Sequence, residues 1–178
     1  MGTDVERKLI QKVKKGNQKA FKKLYDLYSG YALRTAFAIA KSEADAADIV
    51  QETFIRVYRS IDSYDATKPF KPWFYRILMN ETHRLLKKRS DPRSVIIDVE
   101  TDEALHPASS IQGEYEDLQE ALDQLDHHHK TVLVLKYLHG FSEKEIAAIL
   151  DENQNTIKSR LFKGRKKLKQ VLGAIEHE

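Results

Sequence analysis

The sequence predicts an all-α protein made of two small helical domains joined by a flexible acidic linker. Apolar residues recur at three- and four-residue spacing over most of the chain, and no strand-like alternation competes for any segment. Proline, serine and glycine gather with acidic residues in one central stretch that lacks this periodicity. Charge is also sorted along the chain. Lys71, Arg76, Arg84, Lys87, Lys88 and Arg89 form one basic block, and Lys158, Arg160, Lys163, Arg165, Lys166, Lys167 and Lys169 form another. Between them Asp98, Glu100, Asp102, Glu103, Glu114, Glu116 and Asp117 face only Arg93. The boundaries that follow are 1–90, a linker over 91–113, and 114–178. Two basic modules around an acidic connector point to two surfaces that each meet a polyanion.

The helices follow in order. A first stretch carries Leu9 and Val13, and Gly16 punctuates the chain after it. A second carries Phe21, Leu24, Tyr25 and Tyr28 and continues, after a break expected at Gly30, through Leu33, Phe37 and Ile39. The third runs from about Glu43 to Ile61, where Val50, Phe54, Val57 and Ile61 repeat at four, three and four. A fourth begins near Pro72, a residue suited to a helix's first turn, and reaches about Lys88. Beyond the linker, Leu118, Leu122 and Leu125 form one stripe. Val132, Leu133, Leu135, Tyr137 and Leu138 form the next.

Composition excludes several classes. With 178 residues, 41% hydrophobic and 32% charged, the chain describes well-solvated helices with small cores. No stretch approaches the roughly 20 apolar residues of a membrane span, and Met1 to Lys15 lacks a signal-peptide core, so a cytoplasmic protein without direct membrane insertion is expected. The absence of cysteine removes disulfides, thiolate catalysis and cysteine-ligated zinc. No glycine-rich phosphate loop or metal-ligand set accompanies the carboxylates, so no enzyme, cofactor or metal site is expected.

The segment Gly140 to Lys169 is the most informative. Ser142 and Glu145 have capping-box spacing, so hydroxyl and carboxylate can satisfy each other's orphan backbone donors at a helix start. Ile146, Ala147, Ile149 and Leu150 supply a short helix, and Asp151, Glu152 and Asn153 a polar turn. A second helix then runs from Gln154 to about Leu172, with Ile157, Leu161 and Leu168 inward. This is helix-turn-helix geometry. Gln154, Asn155, Thr156, Lys158, Ser159 and Arg160 occupy the turns from which such motifs reach base edges, and Lys163, Arg165 and Lys166 continue a face without acid. A solvated basic helix is the plain alternative.

On the fourth helix Trp73, Arg76, Asn80, Arg84 and Lys87 share one face. Cations interleaved with an aromatic suit single-stranded or distorted DNA, where phosphates are neutralised and an unstacked base meets a π surface. A purely structural Trp73 would satisfy the same spacing.

These residues carry a resemblance. Asp45-Ala-Ala-Asp-Ile-Val-Gln-Glu-Thr-Phe54 followed by Pro72-Trp-Phe-Tyr-Arg-Ile-Leu-Met-Asn80 resembles regions 2.2 to 2.4 of extracytoplasmic-function (ECF, group IV) sigma factors of the sigma-70 family. Gly140-Phe-Ser-Glu-Lys-Glu-Ile-Ala-Ala-Ile-Leu150 with Thr156-Ile-Lys-Ser-Arg-Leu161 is similar to their region 4.2. The matches lie in the family's order over nearly the whole chain. The resemblance implies a sigma factor that binds core RNA polymerase, through its β′ clamp helices and β flap, and directs initiation at promoter DNA. It implies a −35 element read by the Gln154 helix. It also implies a −10 element melted and held by Ser63, Tyr64, Lys68, Phe70, Lys71, Trp73, Arg76, Asn80, Arg84 and Lys87, the loop Ser63 to Lys71 taking an extruded base. Asp45, Asp48, Gln51 and Glu52, expected on an exposed side, become candidates for polymerase contact. An anti-sigma factor is the implied regulator, and nucleoid association follows binding to polymerase. A polymerase-independent dimeric helix-turn-helix regulator is the alternative.

The chain departs from the family pattern in three places. Asp151 and Glu152 stand where glycine and an apolar residue are usual, and Asn153 and Asn155 where proline and glycine are frequent. Asp and Asn tolerate left-handed backbone, but Glu152 sets an acid beside DNA. His127, His128 and His129 replace the usual proline-containing helix start, and they read as a polar helix start or a metal site. The acidic connector reads as a plain spacer or as a nucleic-acid mimic in a basic polymerase channel, with Asp98, Glu100, Asp102 and Glu103 carrying the mimicry.

Overall fold

The structure is a computed structural model that describes residues 4–90 and 120–175. The connector expected over 91–113, with Asp98, Glu100, Asp102 and Glu103, lies outside the described residues, as does Leu118. All regular structure among the described residues is helical. The chain divides into two compact units, each described by itself.

The N-terminal unit contains α1 (Asp4–Lys14), α2 (Gln18–Ala40), α3 (Glu43–Ser60), a 3₁₀ turn (Ile61–Ser63) and α4 (Phe70–Ser90). Local chemistry sets the corners. Gly16 turns the chain at φ 78°, and the Asn17 side chain then accepts the Ala20 N–H at 2.9 Å to cap α2. Lys41 closes α2 at φ 61°, and Ser42 opens α3 by accepting the Asp45 N–H at 3.2 Å. Helix α2 packs on α1, α3 and α4. Leu24, Ile49, Val57, Phe74, Leu78 and Met79 are fully buried in this unit. Each such side chain contributes about 1.5–3 kcal/mol.

Two expectations for α2 need correction. The helix runs unbroken through Gly30, and Leu33 and Phe37 face outward, 45% and 37% exposed. Its inner stripe is made instead by Ala32, Thr35, Ala36 and Ile39. Small residues let neighbouring backbones approach, so the bulkier apolar residues fall on the other side.

In the C-terminal unit residues 120–123 are helical, followed by α5 (His127–Leu133), a π-helical turn (Val134–Leu138), α6 (Glu143–Leu150) and α7 (Gln154–Ile175). Helix α5 packs on α7. A Cβ added to Gly164 of α7 would lie 3.2 Å from Leu133 Cδ1, so the bare glycine permits this approach. Val132, Leu133 and Leu135 are buried as expected, but Tyr137 and Leu138 are 60% and 49% exposed. The wider π turn changes the angular step and carries the last two residues off the inner stripe.

Candidate nucleic-acid interface

The turn between α6 and α7 is built by its own side chains. Both arms of the capping box form: Ser142 Oγ accepts the Glu145 N–H at 3.2 Å, and Glu145 Oε2 accepts the Ser142 N–H at 2.8 Å. Asp151 takes the left-handed conformation at φ 54° and ψ 45°, the role that glycine fills elsewhere. The Glu152 N–H then donates back to the Ala147 carbonyl at 3.0 Å. Asn153 caps α7, its Oδ1 accepting the Asn155 N–H at 2.8 Å and its carbonyl the Ile157 N–H at 3.1 Å. The four departures therefore preserve the turn. Glu152 finds a partner eight residues on, where Arg160 donates to its Oε1 at 2.9 Å.

Along α7, Gln154, Asn155, Lys158, Ser159, Lys163, Arg165 and Lys166 are exposed, with Thr156 and Arg160 partly so. Ile157, Leu161 and Gly164 face inward. The helix contains no acidic residue. Phe162, 64% exposed on this cationic helix, was not singled out from the sequence, although an aromatic off the inner stripe is the signal that marks it. Arg165 donates to the Tyr137 hydroxyl at 3.5 Å, which ties the π turn to the basic face.

The expected −10 residues divide into two groups. Tyr64 and Phe70 are buried, 5% and 1% exposed, and support the loop from within. Their rings pack with each other and with Trp73, at centroid distances of 5.3 Å for Tyr64 with Phe70, 5.1 Å for Tyr64 with Trp73 and 5.5 Å for Phe70 with Trp73. Trp73 is half-buried against the other two rings. Ser63, Lys68, Lys71, Arg76, Asn80 and Lys87 are exposed, the last two further along α4.

The loop itself is pinned. Lys14 of α1 donates to the carbonyls of Tyr64 at 2.7 Å and Asp62 at 3.3 Å, and the Tyr64 hydroxyl donates to the Lys68 carbonyl. Asp65 accepts from the Thr67 hydroxyl at 2.6 Å and the Thr67 N–H at 3.0 Å, bonds that lower its carboxyl pKa. Lys14 was invisible to sequence reasoning because its acceptors lie 48 and 50 residues away.

Arg84 is exposed and paired with acids of its own unit. Its guanidinium grips Glu81 Oε2 through Nε at 2.8 Å and Nη2 at 2.6 Å, and Glu52 lies 3.8 Å off. Glu81, 3% exposed, takes Arg56 on its other oxygen. Arg84 is thus ion-paired within the unit while its side chain stays 58% exposed. Asp45, expected on the exposed side, is instead 7% exposed and held by Arg89 through two contacts of 2.7 and 2.8 Å. Asp48 and Gln51 are exposed as expected, and Glu52 partly so. Beside them an open groove of about 1100 Å³ between α2 and α3 is lined by Phe21, Tyr25, Gln51, Phe54 and Tyr58.

The histidine run is a helix start. Asp126 caps α5 by accepting the His129 N–H at 3.1 Å, its other oxygen faces the His129 ring, and Lys167 approaches at 3.4 Å. Burial works to raise the Asp126 carboxyl, but these partners together hold it well below the usual range. Burial, then His127 and Arg160, lowers the His128 imidazole. No group able to hold a metal ion occurs among the described residues.

A helix-turn-helix with an acid-free second helix, and a helical unit presenting a pinned loop beside cations and an aromatic, define a two-module DNA-binding factor of transcription. Residues 24–91 match Sigma-70 region 2, and residues 115–168 match Sigma-70, region 4. The ECF RNA polymerase sigma factor SigW of Bacillus subtilis is 33% identical, covering 93% of this chain and 96% of that protein. The ECF RNA polymerase sigma-E factor of Escherichia coli K12 is 31% identical over 88% of each. Among solved structures, sigma factor RpoE of Bartonella quintana, in complex with the anti-sigma factor NepR, superposes with a TM-score of 0.73 at 29% identity, covering 87% of this chain and 98% of that one. CnrH, in complex with the cytosolic domain of CnrY, gives 0.72 at 26% identity, covering 96% and 99%. The chain belongs to the ECF RNA polymerase sigma factors. It is a factor for promoter-specific transcription initiation, and its relatives do not favour the polymerase-independent dimeric regulator.

Proposed function

We propose that the residues divide the work of initiation as follows. Residues 1–90 act as region 2, 91–113 as connector and 114–178 as region 4. The exposed side of α3, with Asp48, Gln51 and the edge of Glu52, docks on the β′ clamp helices. The neighbouring aromatic groove supplies the apolar part of that contact, since Tyr25 and Tyr58 are 43% and 46% exposed. Region 4 meets the β flap. Helix α7 reads the −35 duplex through Gln154, Asn155, Thr156, Lys158, Ser159 and Arg160, with Lys163, Arg165 and Lys166 on phosphate. Ser63, Lys68, Lys71, Arg76, Asn80 and Lys87 hold the melted −10 strand around Trp73.

The observation that carries this reading is the pinned loop. Flipping a base out of the stack costs a few kcal/mol, and a receptor already held by Lys14 and the Tyr64, Phe70 and Trp73 cluster spends little further free energy on its own ordering. Binding energy then drives strand separation, with no bond cleaved by this chain. By extension from the NepR complex, an anti-sigma factor silences the chain by covering these surfaces. The setting is cytoplasmic. Among the described residues no helix is long and apolar enough to cross a membrane.

Run-off transcription with purified core polymerase tests the assignment. Asn80→Ala and Lys68→Ala should slow open-complex formation while preserving polymerase binding, and Gln51→Ala should weaken polymerase binding while leaving open-complex formation near wild type at saturating core polymerase. Equal losses of both activities in all three variants would overturn the division.

A further inference from the structure

Glu152 sets a carboxylate against a reading helix that has none of its own. Its Oε1 accepts from Arg160 Nη2 at 2.9 Å across the turn, with the two side chains 35% and 23% exposed. An acid at this position repels phosphate and so weakens duplex binding. The same contact, however, fixes the orientation of the arginine. A guanidinium carries five N–H donors in a rigid plane, and a carboxylate that takes one of them sets that plane and leaves the other donors directed away. Glu152 is itself well placed for this. The left-handed Asp151 precedes it and the Asn153 cap follows it, so its backbone is fixed on both sides.

We infer that Glu152 is a positioning residue for base reading, holding Arg160 so that the remaining edge of its guanidinium meets the acceptors of one guanine in the −35 major groove. It lowers affinity for DNA in general and raises discrimination at that base pair. The inference rests on the assignment of α7 to the −35 duplex. It explains why an acidic residue is tolerated at a DNA-facing turn: what its charge costs in phosphate repulsion is offset by the orientation it gives Arg160.

Holoenzyme assembled from core RNA polymerase and the full chain, as wild type, Glu152→Ala, Glu152→Gln or Arg160→Ala, is used to transcribe a promoter pool. The pool varies the −35 element around a sequence selected by the wild type, and the transcripts are sequenced. Arg160→Ala should lose about tenfold discrimination at a single base pair, the scale of one bidentate arginine contact; Glu152→Ala, which removes the acceptor, should lose discrimination at the same pair, and Glu152→Gln, which keeps an amide oxygen there, should lose less. Glu152→Gln should also strengthen binding to non-promoter duplex, which a purely structural loss would not do. Discrimination kept by Glu152→Ala at the pair that Arg160→Ala relaxes would overturn the inference while leaving the assignment of α7 intact. A uniform loss at every position in Glu152→Gln would overturn it too, as a defect of folding. If Arg160→Ala changes no −35 position, the inference and the assignment of that residue fall together.

Discussion

Replacing Glu81 by glutamine keeps the shape of a buried side chain and removes its charge. In the native unit the carboxylate accepts Arg84 at 2.6 and 2.8 Å on one oxygen and Arg56 on the other. Charge-assisted hydrogen bonds contribute about 1.5–3 kcal/mol each. The two arginines are 58% and 51% exposed, so water recovers much of the loss on their side. Glutamine also points an amide donor at a guanidinium. A net cost of about 2 kcal/mol is expected, lowering the melting temperature by roughly 10 °C for a unit of this size. The single tryptophan, Trp73, lies in this unit and reports its urea unfolding selectively. A loss below about 0.5 kcal/mol would refute the reasoning. A double-mutant cycle with Arg84→Ala should show coupling near 1 kcal/mol. Because Arg84 is paired with the buried Glu81, Arg84→Ala should change the salt dependence of −10 strand binding little. A free phosphate contact would reduce that slope by about 0.7.

Further outcomes follow from other contacts. Ser142→Ala removes one arm of the capping box and should cost about 1 kcal/mol, read from thermal unfolding of the C-terminal unit. Gly164→Val should cost about 1–3 kcal/mol because even a Cβ there sits 3.2 Å from Leu133 Cδ1. Asp45→Asn should destabilise the N-terminal unit through loss of the Arg89 pair yet leave polymerase affinity near wild type, measured by competition for core enzyme. Asp126 has a lowered folded pKa, so its contribution is present above the ordinary carboxylate range and is lost as pH falls toward the folded value. Asp126→Ala should therefore lower stability at neutral pH and make the acid limb of the stability profile less steep.

What the sequence disclosed was local in range. The capping box is a three-residue signal, and the polar turn with its basic second helix lies within one window, so both could be read directly. The residues found buried or pinned were set by distant partners: Asp45 by Arg89 44 residues on, and the Tyr64 loop by Lys14. No periodicity carries such pairings. In α2 the bulky residues drew attention from Ala32 and Ala36, whose small size is what close helix packing selects. Glu152 looked anomalous because its partner, Arg160, lies beyond the turn in the next helix.

The anchor supplied by Lys14 has a consequence for how promoter preference can change over generations. Lys14 grips main-chain oxygens of Asp62 and Tyr64, and its ammonium also lies 5.7 Å from the centre of the Tyr64 ring. A grip on carbonyls does not depend on which residues the loop carries. Exposed positions such as Ser63 and Lys68 can therefore be exchanged while the path of the loop is retained. Mutation can explore new surface chemistry on a scaffold that need not be rebuilt each time, and the constraint is displaced onto a lysine in the first helix.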